Sequence, residues 1–160
     1  MTEYVCHKPV LLEETIKNLN LSNDGVYVDA TLGMGGYTEK ILNLSKCNLV
    51  SIDRDPYAIE KAKPLVERFG LRLKIVNGLF SNLEQILLDL NISKINGITF
   101  DFGVSSPQID TPERGFSFRF DSLLDMRMGG NEFSAIDLLN NSEISKLEKI
   151  LREYGEEKKA

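Results

Sequence analysis

The twelve residues Val26-Tyr-Val-Asp-Ala-Thr-Leu-Gly-Met-Gly-Gly-Tyr37 constrain the fold more than any other stretch of the sequence. Val26-Tyr-Val28 is a short β-branched and aromatic run, the pattern of a buried strand. It ends in an acid, Asp29, and three glycines, Gly33, Gly35 and Gly36, follow within four positions. Glycine permits a sharp turn and lets backbone approach a ligand where a Cβ would clash. Thr38-Glu-Lys-Ile-Leu42 then has helical spacing. Strand, glycine turn and helix is the arrangement that presents backbone N–H groups at a helix start to a nucleotide-type ligand. A glycine-rich turn by itself reads equally well as a plain strand-to-helix link.

The same alternation continues along the chain. Leu11, Leu12, Ile16 and Leu19 have helical spacing within 10–19, and 18–25 is turn-rich. A second strand is expected over Asn48–Ile52 and a third over Arg72–Val76. Asp55 caps the intervening helix and Pro56 occupies its first turn. That helix is expected to kink at Pro64 and close at Gly70. Ser81-Asn-Leu-Glu84 reads as a capping box opening a helix over 83–90. A fourth strand is expected over Ile95–Phe100. Strands alternating with helices imply an α/β fold, a parallel sheet with right-handed crossovers, in the order 3-2-1-4. After Asp101 the periodicity is lost, and 103–131 reads as a long functional or disordered loop. Two short helices are expected near 135–140 and 143–154.

The chain has 160 residues, 42% of them hydrophobic, which suffices for one packed domain. Its net charge of −5 gives no bulk attraction to RNA or membrane, so contact with a nucleic acid requires a local basic patch. No stretch has the length and apolarity of a membrane span, and a cytoplasmic protein is expected. Cys6 and Cys47 read as free thiols in a reducing compartment. With His7 the only histidine, a Ser-His-Asp triad would have to use the terminal segment. A zinc site would have to combine Cys6, His7 and Cys47, whose spacing matches no familiar metal pattern, so no metal is expected.

Three strands end in an acid, at Asp29, Asp53 and Asp101. Ligands of open parallel sheets sit at the carboxyl ends of the strands, beside the point where strand order reverses. Asp53 lies eighteen positions after Gly35, close to the spacing of an acid that binds ribose hydroxyls. Any one of these acids alone reads as a helix cap or solvated turn, whereas three beside a glycine turn point to a nucleoside-containing cofactor. Two candidates remain open, S-adenosylmethionine and NAD. An acid just before the turn sits badly beside a pyrophosphate but suits an ammonium group. The turn is also Gly-x-Gly-Gly rather than Gly-x-Gly-x-x-Gly, and S-adenosylmethionine is therefore preferred. Phe80, after the third strand, suits either adenine stacking or core packing.

Several blocks resemble one family along nearly the whole chain. They are His7-Lys-Pro-Val-Leu-Leu, Asp29-Ala-Thr-Leu-Gly-Met-Gly-Gly, Asp53-Arg-Asp-Pro, Asp101-Phe-Gly-Val-Ser-Ser-Pro-Gln, Glu113-Arg-Gly-Phe-Ser-Phe, Leu124-Asp-Met-Arg-Met and Tyr154-Gly-Glu-Glu. In these the sequence resembles the ribosomal small-subunit RNA (cytosine-N4)-methyltransferases. The resemblance implies a class I, Rossmann-like methyltransferase sheet, S-adenosylmethionine as cofactor, and N4 methylation of a cytidine in small-subunit ribosomal RNA. It places cofactor contacts on Gly35, Gly36, Tyr37, Asp53, Phe80, Asp101 and Gln108. Tyr37 stands where the family usually has histidine, and Ser122-Leu123 replaces a Gly-Pro. Family members continue past Tyr-Gly-Glu-Glu through a helical insertion and further strands. The expected organisation is therefore a cofactor-binding core over 1–104 and a loop with the start of the insertion over 105–160, the sheet stopping before its last strands.

Asp101, with carbonyls of the 103–107 loop, is the candidate catalytic residue, an acceptor for the amino group of the target cytosine. Phe116, Phe118 and Phe120 alternate with Arg114 and Arg119 nearby, which suits either a platform for RNA bases or closure over the sheet. The expected partner is small-subunit ribosomal RNA or an assembling subunit. The apolar fourth strand, with Ile95, Ile98, Phe100 and Phe102, would lie at a sheet edge and favour self-association. Two other readings stay open: a cofactor-binding module without catalysis, and an NAD-binding oxidoreductase domain.

Overall fold

Four parallel strands run in the order β3-β2-β1-β4 in a computed structural model that describes residues 9–129 and 133–160. They are β1 (Val26–Asp29), β2 (Asn48–Asp53), β3 (Leu73–Asn77) and β4 (Gly97–Thr99). The register pairs Val28 with Val50 on one side and with Ile98 on the other. The chain forms two compact units, Met1–Ser105 and Ser106–Ala160. The sheet and the glycine turn belong to the first.

Both faces of the sheet are covered, which is why β1 and β2 read as continuous apolar runs rather than alternating ones. On one face Tyr27, Leu49 and Leu73 pack with Ile16, Tyr37, Ile41, Leu42 and Phe69. Those residues come from α1 (Leu12–Leu19), α2 (Gly36–Leu44) and the chain between β2 and β3. On the other face Val28, Ala30, Val50 and Ile52 pack with Leu83, Ile86 and Leu87 of α5 (Leu83–Asp89). The crossovers explain the division. The first two steps move outward from β1 to β2 to β3, and the third must return past β1 to its far edge. A right-handed crossover in the reverse direction places its helix on the opposite face. The order reverses between β1 and β4, and this is where a crevice opens in such Rossmann-like sheets.

Local chemistry sets the element ends. Asp55 Oδ1 accepts the Tyr57 N–H at 3.0 Å and caps the next helix. Pro64 does more than kink it: the segment is two helices, α3 (Pro56–Lys61) and α4 (Lys63–Phe69), meeting at Ala62. The ring removes a helical donor and crowds the preceding turn, so a new helix starts with the proline in its first turn. The capping box expected at Ser81 is not formed. Phe80–Asn82 is a 3-10 turn, and Asn82 precedes α5 without a side-chain cap. A reciprocal box occurs instead at Ser134, whose hydroxyl accepts the Asp137 N–H while Asp137 accepts the Ser134 N–H.

The fourth strand is three residues long, half the six expected. Asn96 closes its start, exchanging a backbone bond with Val26 O at 2.7 Å and a side-chain bond with Val26 N at 2.9 Å. Beyond Thr99 the backbone turns to the glycine segment. In the second unit, α6 (Ser106–Asp110) and a 3-10 turn over Pro112–Arg114 break up the stretch expected to be a loop. α7 (Ala135–Asn141) and α8 (Ile144–Tyr154) follow. Cys6 and His7 lie outside the described residues, and Cys47 is buried and free. Among the described residues no helix is long and apolar enough to cross a membrane.

Thr99 is only 5% exposed, and its hydroxyl finds no hydrogen-bond partner among the described residues. A buried unpaired hydroxyl costs stability that an isosteric methyl does not. Thr99→Val is therefore expected to raise the unfolding free energy by about 1 kcal/mol. Urea denaturation measures it, and a less stable variant would mean that the hydroxyl has a partner.

Candidate functional site

The glycine segment is braced between the two strands beside it. Ala30 N–H donates to Thr99 O at 3.0 Å on the β4 side, and Leu32 N–H to Ile52 O at 2.9 Å on the β2 side. Gly33 N–H donates to Asp53 Oδ2 at 2.8 Å, and Asp101 N–H donates to Thr31 Oγ1 at 2.7 Å. Asp53 and Asp101 are thus each tied to the turn by one bond, Asp53 through its carboxylate and Asp101 through its backbone.

Asp53 Oδ1 also accepts the Asp55 N–H at 2.9 Å. A carboxylate has about four acceptor positions, so two remain, and the side chain is partly exposed. The Asp101 side chain is exposed, and no partner for its carboxylate is found among the described residues. Phe80, at the end of the third strand segment, is half-exposed. Its ring centroid lies 5.7 Å from that of Phe100, edge-on, and 5.6 Å from that of Phe102. These three rings form an exposed apolar cluster at the carboxyl ends of β3 and β4.

α2 begins directly after Gly35, which has φ +81° and no side chain to cap the helix. The N–H groups of Gly36 and Tyr37 have no acceptor among the described residues, the position where a helix start takes an anionic group. A Cβ on Gly35 would lie 2.5 Å from Leu65 Cδ1, and one on Gly36 would lie 2.4 Å from Pro9 Cγ. A side chain at either position would have to displace Leu65 or Pro9, and the φ of +81° at Gly35 itself favours glycine. At Gly33 the space is open, and its φ of +50° is what favours glycine. The Tyr37 ring points into the core rather than to the surface, and its hydroxyl donates to Val10 O. A side chain at 37 therefore reaches the N-terminal segment, and only its backbone N–H faces the helix start.

Asp29 is fully buried beneath the turn, so it makes no surface contact with an ammonium group. Its Oδ2 accepts the Thr38 hydroxyl at 2.7 Å, its Oδ1 accepts Thr31 N–H at 3.4 Å, and Thr38 N–H also bonds to it. Thr38 Oγ1 lies 2.7 Å from Ser51 Oγ. A hydroxyl has one proton, so when Thr38 donates to ionised Asp29, Ser51 must donate to Thr38. Burial pushes the Asp29 carboxyl up from 3.8 to about 6, opposed by the Thr38 and Thr31 bonds and assisted by the charge on Asp53. Thr31, Thr38 and Ser51 escape a reading of the sequence. Hydroxyl residues on both sides of a glycine turn are the only signal, and they are common.

Gln108 is buried on α6 of the second unit. In the same unit Phe118 is fully exposed. Arg114 lies over the Phe116 ring and Arg119 over the Phe120 ring, with Arg119 Nη2 also 2.8 Å from Asp110 Oδ1. Asp125 takes a forked bond from Arg127, which holds its carboxyl below the usual range.

The sequence model of the MraW methylase family matches residues 4–160. The chain belongs to this family. A ribosomal RNA small subunit methyltransferase H of Caldicellulosiruptor saccharolyticus is 50% identical over 157 residues, covering 96% of this chain and 51% of the relative. The protein of that name in Fusobacterium nucleatum is 46% identical, covering 96% and 50%. That of Parvibaculum lavamentivorans is 44% identical, covering 96% and 45%. The chain thus spans about half the length of the curated relatives it matches. Among solved structures, an rRNA methylase from Streptococcus thermophilus aligns with TM-score 0.47 and 22% identity over 61% of this chain and 57% of that one.

The Asp29 carboxyl carries a stability signature. The native state keeps its proton up to about pH 6, whereas the unfolded chain releases it near 3.8. Its contribution is therefore greatest below the lower value and falls as pH rises through the higher one. Relative to Asp29→Asn, the wild type is expected to lose about 3 kcal/mol between pH 3.5 and pH 7. Paired denaturant titrations across that range check this. A difference that does not change with pH would show that Asp29 titrates alike in the native and unfolded states, so that burial does not raise its pKa.

Proposed function

We propose that this chain is the cofactor-binding portion of an S-adenosylmethionine-dependent methyltransferase that acts on N4 of a cytidine in small-subunit ribosomal RNA. The observation that carries this reading is the braced turn. It sets a partly exposed carboxylate on one side, an exposed carboxylate on the other, and two N–H groups without acceptors at the start of α2. Membership of a methylase family and the names of its relatives support the reaction class.

The residues fit the cofactor. Gly36 and Tyr37 N–H groups match a carboxylate, and the two remaining acceptor positions of Asp53 match a ribose diol. The open space over Gly33 admits backbone contact, and Phe80 offers an exposed ring face for adenine. When bound, S-adenosylmethionine supplies a methyl group made electrophilic by a sulfonium. A dinucleotide fits less well. The turn is Gly-x-Gly-Gly rather than the Gly-x-Gly-x-x-Gly that wraps a pyrophosphate.

The amino nitrogen of cytosine is a poor nucleophile because its lone pair is delocalised into the ring. Asp101, with carbonyls of residues 103–105, accepts hydrogen bonds from that amino group and draws electron density back to the nitrogen. Holding the nitrogen in line would supply much of the rate. The base must leave any stack to reach Asp101. Gln108 is assigned to the cofactor by the family pattern. Phe118, with Arg114 and Arg119 nearby, supports a role of the second unit in contacting RNA.

Asp53→Ala is expected to weaken binding of S-adenosylhomocysteine by about 1.5–3 kcal/mol, the worth of a charge-assisted hydrogen bond, with circular dichroism unchanged. Isothermal titration measures it. Unchanged affinity removes Asp53 from the site, and tight binding of NADH instead would favour the oxidoreductase reading.

Self-association is also part of the proposal. Among the described residues β4 pairs on one side only, with β1, and Phe100 and Phe102 beside it are exposed. Analytical ultracentrifugation over a concentration series is expected to show reversible association, weakened by Phe102→Lys. A monomer at all concentrations rejects it.

A further inference from the structure

The four residues after β1 divide their attachments between the two neighbouring strands. Ala30 is bound to β4, and Leu32 and Gly33 to β2. Thr31 does two things at once. Its N–H donates to Asp29 Oδ1 at 3.4 Å, and its hydroxyl oxygen accepts Asp101 N–H at 2.7 Å. It joins the buried Ser51–Thr38–Asp29 group to the backbone of the residue proposed to meet the substrate.

Asp101 needs such an attachment. β4 ends at Thr99, and the next four residues are all exposed. Gly103 has φ +153°, a conformation that residues with side chains rarely adopt, and a Cβ there would meet nothing within 4 Å. Phe100 and Phe102 pack their rings against Phe80, whereas the side chain of Asp101 between them is exposed. The carboxylate has no partner of its own among the described residues, so the backbone alone limits where it can reach, and the Thr31 hydroxyl restrains that backbone directly.

We infer that Thr31 is a positioning residue for Asp101: through the bond from Asp101 N–H to Thr31 Oγ1 it fixes the place from which the carboxylate reaches. The inference rests on the assignment of Asp101 to the target amino group. A β-branched side chain suits the task, because its χ1 is restricted and the oxygen stays in place. The role is separable from stability. Asp101 is exposed, so its N–H can bond to water when the hydroxyl is removed, and the fold loses little. The loss falls on placement.

The test uses the full chain with Thr31→Val, which keeps the shape and removes the acceptor, and Thr31→Ser, which restores it. Amide exchange at Asp101 is followed by NMR, affinity for S-adenosylhomocysteine by calorimetry, and methyl transfer to small-subunit ribosomal RNA as kcat and cofactor KM separately. Thr31→Val is expected to speed Asp101 exchange about tenfold and lower kcat about tenfold, the loss of one hydrogen bond. Cofactor KM and affinity should stay within about twofold, and Thr31→Ser should recover most of both losses. Unchanged exchange at Asp101 overturns the inference. So does a loss that falls on cofactor KM with kcat intact, since Thr31 would then serve the cofactor turn. If the wild type neither binds S-adenosylhomocysteine nor transfers methyl groups, the proposed function fails, and the exchange measurement still decides whether Thr31 restrains Asp101. Should Thr31→Val not fold, Thr31→Ala set against Thr31→Ser makes the same comparison.

Discussion

A carboxylate buried beneath the glycine turn holds three separate segments at one point. Asp29 ends β1, Thr38 lies in the first turn of α2 and Ser51 lies in β2, and their side chains form one hydrogen-bonded group without solvent exposure. Placing a carboxyl there is expensive, as its raised pKa records. The cost is offset because every bond it accepts fixes something nearby: Thr31 at the start of the turn, and Thr38 at the start of the helix. A buried polar group that is fully satisfied specifies one arrangement more sharply than an apolar contact would, since any shift leaves a donor or acceptor unpaired.

The arrangement of the site follows from that anchor. With the start of α2 fixed, Gly36 and Tyr37 present their N–H groups at a set place. With Thr31 fixed, the two flanking acids are drawn to the turn from opposite sides, Asp53 by its carboxylate and Asp101 by its backbone. The difference matters chemically. Asp53 is held by the atoms that would meet a ligand, whereas Asp101 is held by its N–H and keeps its carboxylate exposed. The first arrangement suits binding, and the second suits a group that must engage a substrate arriving later. The proposed function gives both a context, since a methyltransferase must hold a donor and receive an acceptor at adjacent points.

The sheet order, the acids that end β1 and β2 and the glycine turn were legible in the sequence because each rests on local pattern and short-range chirality, whereas β4 stops two residues short of Asp101. Apolar runs of β1 and β2, Pro56 after Asp55, and Gly70 after Phe69 each act within a few residues. Where the reading departed from the structure, a longer-range contact decided. Ile95–Phe100 reads as six strand residues, yet Asn96 bonds Val26 and the chain leaves the ladder after Thr99. Ser81 reads as a cap, yet the Phe80–Asn82 turn replaces it. Gly35 and Gly36 read as space for a ligand, and part of that space belongs to Leu65 and Pro9.

The sequence by itself determined the architecture of this protein and the positions of its charged groups along the strands, because hydrophobic periodicity and the handedness of crossovers leave few alternatives. Only the tertiary structure decided what those groups do for one another. That Asp29 is an internal anchor rather than a surface contact depends on Thr38 and Ser51 converging on it from separate elements. That the Tyr37 ring faces the core depends on the packing of α1 against α2. That Thr31 meets Asp101 depends on β1 and β4 lying side by side, seventy residues apart along the chain. A hydroxyl in a sequence carries no mark of the donor it will meet, since hydrogen bonds act over about 3 Å and that distance is set only when the chain has folded.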